Sequence, residues 1–177
     1  MDQHTLELAI RGDPILKNTY KGCFCRDEIP NIANNSVYLI NTALSSSVGE
    51  HWVAIDTCHE GKIFWLCSYH TNPRQFKLIW IRICATKRAL HTFPRRLQAP
   101  VLTNCGPFIL FFLYMTSRGL TPEDMMKQYF ENRDIYKNSV LVTEVSRVLF
   151  RLTDTVEDLL FDSGFSLEQK KKKFDGQ

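Results

Sequence analysis

The stretch Asn104-Cys105-Gly106-Pro107 leads directly into the most apolar run of the chain, residues 108–115. Pro107 has no backbone N–H and a fixed φ, which suit the first turn of a helix. The run that follows is apolar on every side, as is typical of a helix buried in a core. We therefore predict a buried central helix with Cys105 in its first turn. That position favours a thiolate, because the unpaired N–H groups and the helix dipole attract negative charge.

Length and composition indicate one domain with a sizeable core. The chain has 177 residues, of which 44% are hydrophobic and 12% aromatic. We assign residues 1–165 to a single domain and residues 166–177, which are rich in lysine, to a disordered tail. The formal net charge of +3 is a mild basic excess that neither requires nor excludes a polyanionic partner.

The sequence also bears on location. The N-terminus lacks the basic-then-apolar layout of a signal peptide, and residues 108–115 are too few to span a bilayer. We therefore expect a protein that is not secreted and has no membrane partner. In that setting the six cysteines are expected to be free thiols.

The remaining segments predict an α+β fold in which a small antiparallel sheet packs on the central helix. Two β-rich runs, residues 51–56 and 62–69, flank a turn and have the layout of a hairpin. In such a pair the His51 end of one strand lies beside the Cys67 end of the other, so contact there is expected. Residues 76–84 satisfy neither the helix nor the strand period. The other predicted segments are strands at residues 20–24 and 37–42 and helices at residues 5–10, 121–130, 139–152 and 155–161.

His51, Gln98 and Cys105 occur in this order along the chain. A cysteine protease needs a thiolate, an imidazole to hold the proton, a group that orients the imidazole and a donor to the oxyanion. Cys105 alone has a second interpretation, as a small core residue before a helix. Its occurrence together with His51 and Gln98 favours a nucleophile. Histidine before cysteine also separates this arrangement from papain-like enzymes, in which cysteine comes first.

Four blocks of the sequence resemble the adenain-like cysteine proteases, a family of adenoviruses, related DNA viruses and large DNA transposons. The blocks span about two-thirds of the chain, and each block alone would be a weak motif. The blocks are Tyr20-Lys21-Gly22-Cys23-Phe24-Cys25-Arg26-Asp27-Glu28-Ile29-Pro30, Tyr38-Leu39-Ile40-Asn41-Thr42, Gly49-Glu50-His51-Trp52-Val53-Ala54-Ile55, and Gln98-Ala99-Pro100 followed after four residues by Cys105-Gly106.

The resemblance implies a role for each candidate residue. His51 is implied as general base and acid, Cys105 as nucleophile and Gln98 as the oxyanion-hole side chain. The backbone N–H of Cys105 is implied as the second oxyanion donor. Trp52 is expected to shield the pair from water, and an ordinary strand aromatic is its other interpretation.

The resemblance also implies a substrate and partners. These are viral precursor polypeptides cleaved after glycine-containing sites, with ubiquitin-like proteins as further substrates. DNA and a short viral peptide are implied as cofactors, although the sequence itself requires none. We expect a monomer in the host nucleus or virion, or in the cytoplasm or nucleus if the source is not viral.

One position departs from the family pattern. The family's orienting acid is followed by a small or polar residue, an aromatic residue and glycine, and the matching residues here are Cys67-Ser68-Tyr69-His70. A thiol cannot stabilise imidazolium as a carboxylate does, so the Cys105 thiolate should be less favoured. Three interpretations stay open: a working Cys-His dyad, an acid recruited elsewhere such as Asp56, or a protein without catalysis that acts as a virion or DNA-associated interaction protein.

Two further patterns have weaker interpretations. Cys67 and His70 have a Cys-x-x-His spacing, and a zinc site could be drafted from them with Cys58, His59 and His91. The paired Cys-x-x-Cys motif is missing, so no metal is predicted. The lysine run at residues 170–173 is either a nucleic-acid-binding or nuclear-localisation segment or a solvated tail.

Overall fold

The structure, a computed structural model, describes residues 1–152. The predicted helix at residues 155–161, the domain boundary at residue 165 and the tail at residues 166–177 lie outside the described residues. The strands are β1 (Tyr20–Cys25), β2 (Val37–Asn41), β3 (Trp52–Asp56), β4 (Lys62–Leu66) and β5 (Ala89–Thr92). The helices are α1 (Gln3–Gly12), α2 (Lys77–Ala85), α3 (Cys105–Thr116), α4 (Pro122–Met125) and α5 (Ile135–Phe150).

The five strands form one mixed sheet in the order β1-β2-β3-β4-β5. The predicted hairpin is confirmed, because β3 and β4 pair antiparallel with Ala54 opposite Leu66. The antiparallel pairing predicted for the sheet is confirmed for β2, β3 and β4, but the sheet as a whole is mixed, because β1 pairs parallel with β2 and β5 pairs parallel with β4. A parallel neighbour needs a crossover connection, and α2 lies in the connection between β4 and β5.

The central helix predicted from residues 108–115 is confirmed as α3. Nine of its twelve residues are buried, and it contacts β3, α1 and α5. Alternation along β3 divides the core, since Ala54 faces the α3 side while Val53 and Ile55 face the α2 side. No helix within residues 1–152 is long and apolar enough to cross a membrane.

The ambiguous residues 76–84 are mostly helical and belong to α2. Only Ile79 and Ile83 of this helix are buried, and Ile81 is half exposed. Apolar residues therefore point both toward the sheet and toward solvent, which removes the helical period from the sequence. The helix predicted from residue 121 is confirmed at its start, where Thr121 and Asp124 form the capping box of α4. The helical path continues from Met126 to Phe130 as a π-helical turn.

Candidate active site

The start of β3, the end of β4 and the first turn of α3 meet in one place. The Trp52 backbone forms a hydrogen bond with the Cys105 sulfur, which places the thiol beside the residue that follows His51. Burial raises the pKa of Tyr69, just beyond β4, and the nearby Cys105 and Cys67 sulfurs raise it further. The structure thus places Cys67 against His51, and the Cys105 sulfur against the backbone of the next residue, Trp52.

One nitrogen of the buried His51 ring contacts Cys67, and the other nitrogen has no hydrogen-bond partner within residues 1–152. The ring is buried, with 8% of the residue exposed, and its Nε2 lies 3.5 Å from Cys67 Sγ. The expected contact between the two strand ends is therefore confirmed. The backbone N–H of Thr71 also donates to this sulfur at 3.4 Å. The other ring nitrogen, Nδ1, is buried and has no hydrogen-bond partner within residues 1–152.

Burial sets the charge state of the pair. It lowers the pKa of His51 to about 4. It also raises the pKa of the Cys105 thiol, against hydrogen bonds from the backbones of Trp52 and Gly106 that act in the opposite direction. At neutral pH the site therefore holds a neutral thiol and a neutral imidazole. The first turn of α3 favours the thiolate as expected, through the Gly106 backbone, but burial of the sulfur has the larger effect and raises the pKa of Cys105 overall.

The first turn of α3 keeps its backbone N–H groups free of a side-chain cap. Asn104 occupies the N-cap position, but its side chain makes no capping hydrogen bond. Its Nδ2 instead donates to Ser139 O at 3.3 Å and to Thr143 Oγ1 at 3.2 Å, which ties the loop to α5. The N–H groups of the first turn can consequently donate to a negative charge that forms at Cys105.

Gln98 is fully buried and all its polar atoms are engaged. Its Oε1 accepts from Ser68 Oγ at 2.6 Å, and its Nε2 donates to Leu102 O at 2.6 Å and Tyr69 Oη at 3.1 Å. Both amide hydrogens are therefore used within the resting protein. Gln98 braces the loop that leads to Cys105, and its role as oxyanion donor stays a prediction.

Asp56 does not orient His51. It ends β3, about 13 Å along the strand from Trp52 at the usual rise per residue. Its Oδ1 accepts from the backbone N–H of Cys58 at 2.8 Å. The interpretation in which Asp56 is a recruited acid is wrong, because the length of a strand separates the two side chains.

The cysteine and histidine residues considered as zinc ligands lie apart from one another. Cys58 and His59 follow the far end of β3, whereas Cys67 lies at the site, and His59 Nε2 contacts Thr116 O at 3.1 Å. His91, on β5, pairs with Glu123 at 3.0 Å. In residues 1–152 no three His, Cys, Asp or Glu side chains form a group that could hold a metal ion.

Trp52 covers the start of α3. Its indole Nε1 donates to Met1 O at 3.2 Å, and Met1 packs against the same core cluster. Met1 also occupies the space beside Gly106, where an added Cβ would lie 2.9 Å from Met1 Cβ. The shielding role predicted for Trp52 stays a prediction, and the aromatic ring that stacks on His51 belongs to another residue.

That residue is Tyr69, which sequence reasoning did not assign to the site. Its ring stacks on the His51 ring with centroids 4.5 Å apart and planes at 27°. Its hydroxyl accepts from Gln98 and donates to Leu102 O at 3.3 Å. The one signal in the sequence was the aromatic position of the pattern at residues 67–70.

His70 occupies the position at which the family pattern has glycine. Its backbone is left-handed with φ 58°, a conformation that costs a residue with a Cβ about 1 kcal/mol or more. Its Nδ1 contacts Phe93 O at 2.6 Å, which offsets part of this cost. The turn therefore keeps the shape that glycine would permit.

Comparison with solved structures gives a distant likeness. No known protein family matches the sequence, and no curated protein matches it. A crystal structure of the selenomethionine form of the ASFV pS273R protease is similar to this chain, with a TM-score of 0.40 and 20% sequence identity. The match covers 66% of this chain and 45% of that chain. A likeness at this TM-score carries no inference about fold or activity, so the adenain-like resemblance stays a prediction.

Proposed function

We propose that this chain is a cysteine endopeptidase in which Cys105 attacks the scissile carbonyl and His51 carries the proton. The observation that supports this most directly is the His51 ring, whose Nε2 faces Cys67 while its buried Nδ1 has no partner within residues 1–152. A buried imidazole nitrogen without a hydrogen bond is costly for stability. That cost is understandable if Nδ1 receives a proton during turnover.

Because Cys105 and His51 are both neutral at rest, the thiol proton moves to His51 as the sulfur attacks. As the Cys105 sulfur bonds to the carbonyl carbon, its proton passes to His51 Nδ1 and the carbonyl oxygen becomes an oxyanion. Backbone N–H groups of the first turn of α3 stabilise that oxyanion. The C–N bond then breaks, the proton moves from His51 to the leaving amine, and water hydrolyses the thioester through the same base. A neutral thiol that attacks in this way needs His51 in place at every step.

Substrates and partners are proposed from the adenain-like resemblance. They are viral precursor polypeptides cleaved after glycine-containing sites, with ubiquitin-like proteins as further substrates. DNA and a short viral peptide are proposed as cofactors of a monomer in the host nucleus or virion. A DNA contribution would raise the peptidase rate and weaken steeply with salt, because phosphate contacts release counterions.

A second candidate function is an adenain-like interaction protein without catalysis. The observation that favours it is Cys67 Sγ at the position of the orienting acid, 3.5 Å from His51 Nε2. Without a carboxylate the imidazolium formed during attack has no charged partner there. The barrier to proton transfer would then be higher than in an enzyme with a full triad.

Hydrolysis of a peptide library, followed by mass spectrometry, tests the proposed function. We expect cleavage after glycine that is abolished in Cys105→Ala and reduced on the order of 10³-fold in His51→Ala. Cys84→Ala and His91→Ala are matched controls, because Cys84 is exposed on α2 and His91 lies on β5. Absence of cleavage by the parent protein, or equal cleavage by Cys105→Ala, would support the interaction protein.

A further inference from the structure

Tyr69 is the one aromatic residue that contacts both His51 and Gln98 among the described ring contacts and hydrogen bonds. Cys67 and Ser68, the two residues before it, contact the same two side chains, through His51 Nε2 and Gln98 Oε1 respectively. Residues 67–70, where the family pattern has an orienting acid, thus contact His51 through the Cys67 thiol and the face of the Tyr69 ring.

The Tyr69 ring is held on more than one side. Its hydroxyl forms hydrogen bonds with Gln98 Nε2 at 3.1 Å and Leu102 O at 3.3 Å. The Arg96 guanidinium lies 5.2 Å from the ring centroid. These contacts fix the plane of the ring and, through the stack, the plane of His51.

We infer that Tyr69 is the positioning residue for His51 and replaces the missing acid by stacking. This inference rests on the proposed function for its kinetic consequences. A carboxylate orients an imidazole through a hydrogen bond to Nε2 and stabilises its charge. A stacked phenol ring fixes the imidazole plane directly, and its π face attracts the imidazolium that forms during attack.

The arrangement suits a base that is neutral at rest. Cys67 is a weak hydrogen-bonding group, so its contact with Nε2 restrains the imidazole less than a carboxylate would. The ring stack does not require a charge on His51. The Tyr69 hydroxyl is a secondary anchor on Gln98 and Leu102, in the loop before Cys105, and the ring stack supplies most of the restraint on His51. Through Tyr69, the His51 ring and the loop before Cys105 are held in a fixed position relative to each other.

Three variants separate the parts of this inference. Tyr69→Leu removes the ring, Tyr69→Phe keeps the ring and removes the hydroxyl, and Tyr38→Phe is a matched control. Like Tyr69, Tyr38 is a tyrosine whose hydroxyl is hydrogen-bonded, to Ala33 N at 2.9 Å, but Tyr38 is buried and lies on the opposite side of the sheet from α3. Urea unfolding of each variant establishes that it folds.

Two kinetic readouts are combined with one spectroscopic readout. We expect Tyr69→Leu to lower kcat about tenfold with KM unchanged, and to slow alkylation of Cys105 by iodoacetamide by a similar factor. Tyr69→Phe should recover most of both rates, and Tyr38→Phe should match the parent. In NMR spectra the carbon-bound His51 ring protons should lie upfield in the parent and in Tyr69→Phe, and move downfield in Tyr69→Leu.

The NMR readout separates this inference from the proposed function. If the parent cleaves no peptide, the proposed function fails, but the His51 ring shifts still report whether Tyr69 holds the imidazole. Unchanged His51 ring shifts in Tyr69→Leu would overturn the inference. So would a folded Tyr69→Leu whose kcat and alkylation rate equal those of the parent when the parent is active.

Discussion

Cys67 Sγ lies 3.5 Å from His51 Nε2, in the place where a carboxylate would complete a triad. Both side chains are buried, and Thr71 N–H donates to the same sulfur at 3.4 Å. With the His51 proton on Nε2, a carboxylate at residue 67 would find two donors, this N–H and that of Thr71. The site is built to hold an acceptor there, but the acceptor is a thiol that carries no charge at neutral pH, because burial raises the pKa of Cys67.

Replacement of this thiol by a carboxylate should activate the nucleophile. In Cys67→Asp the carboxylate would raise the pKa of His51 and favour the imidazolium–thiolate pair. We expect alkylation of Cys105 by iodoacetamide at pH 6.5 to become about tenfold faster, which corresponds to a shift of about one pKa unit. Cys67→Asn is the matched control, with the same shape and no charge. An equal gain in the alkylation rate in Cys67→Asn would show that the shape of the side chain at residue 67, and not its charge, limits the reactivity of Cys105.

The neutral resting pair predicts a particular pH profile in the parent protein. A preformed ion pair would give a plateau in the alkylation rate of Cys105 on the acidic side of neutrality. Because burial raises the pKa of Cys105, we expect the rate to rise about tenfold per pH unit from pH 6 to pH 9, following the thiolate fraction. Rate measurements by intact-protein mass spectrometry check this. A plateau between pH 5 and about pH 7 would contradict the neutral pair.

Stability should also depend on His51. Its pKa falls from 6.5 in the unfolded chain to about 4 in the folded protein, so the unfolded state binds more protons between these values. The neutral His51 should therefore make its full contribution to the free energy of unfolding above pH 6.5. About 3 kcal/mol of that contribution should be lost as the pH falls to about 4. Urea unfolding of the parent and of His51→Gln at pH 7 and pH 4 measures the difference. Equal losses in both proteins would exclude a buried neutral imidazole.

Gln98 should matter to stability as well as to any chemistry. Gln98→Ala would leave Ser68 Oγ, Leu102 O and Tyr69 Oη without a shared partner in a buried region. We expect a loss of about 3 kcal/mol in the free energy of unfolding, from several unmade hydrogen bonds. Ser68→Ala, which removes only one of them, should cost about 1 kcal/mol. If Gln98→Ala lowered kcat and left the free energy of unfolding unchanged, Gln98 would instead be an oxyanion donor without a structural role.

The left-handed turn at His70 offers a test of backbone strain. His70→Ala loses the contact with Phe93 O and keeps the strain, whereas His70→Gly loses the contact and relieves the strain. We expect the glycine variant to be more stable than the alanine variant by about 1 kcal/mol in urea unfolding. Lys87, with φ 56°, is the control position, and the same order is expected there. The reverse order at His70 would mean that the turn changes shape in the variants.

Much of the site's framework could be predicted from local patterns. The apolar run after Pro107 predicts α3, and the hairpin layout predicts that His51 meets Cys67. Both predictions depend on periodicity and on short sequence separation, which a single sequence displays. The capping box at Thr121 was equally visible, because its members are three residues apart.

Other features depend on contacts that no local pattern records. The edge strand β5 has four residues, none of them buried, so it lacks the apolar alternation of an internal strand. Tyr69 contacts Gln98 and Leu102, which are 29 and 33 residues away in sequence. The charge state of Cys105 depends on its burial, which raises its pKa and which a helix-terminus argument alone leaves out.

Selective covalent labelling tests most directly whether Cys105 and His51 act as nucleophile and base. The probe is a short peptide ending in glycine vinyl sulfone, and the site of addition is read by peptide mapping. Iodoacetamide serves as the reference reagent, because it should modify Cys84, the exposed cysteine, faster than the partly buried Cys105. We predict that the peptide probe reverses this order, adds to Cys105, and reacts on the order of 10³-fold more slowly in His51→Ala. Addition to Cys84 ahead of Cys105, or an equal rate in His51→Ala, would contradict the assignment.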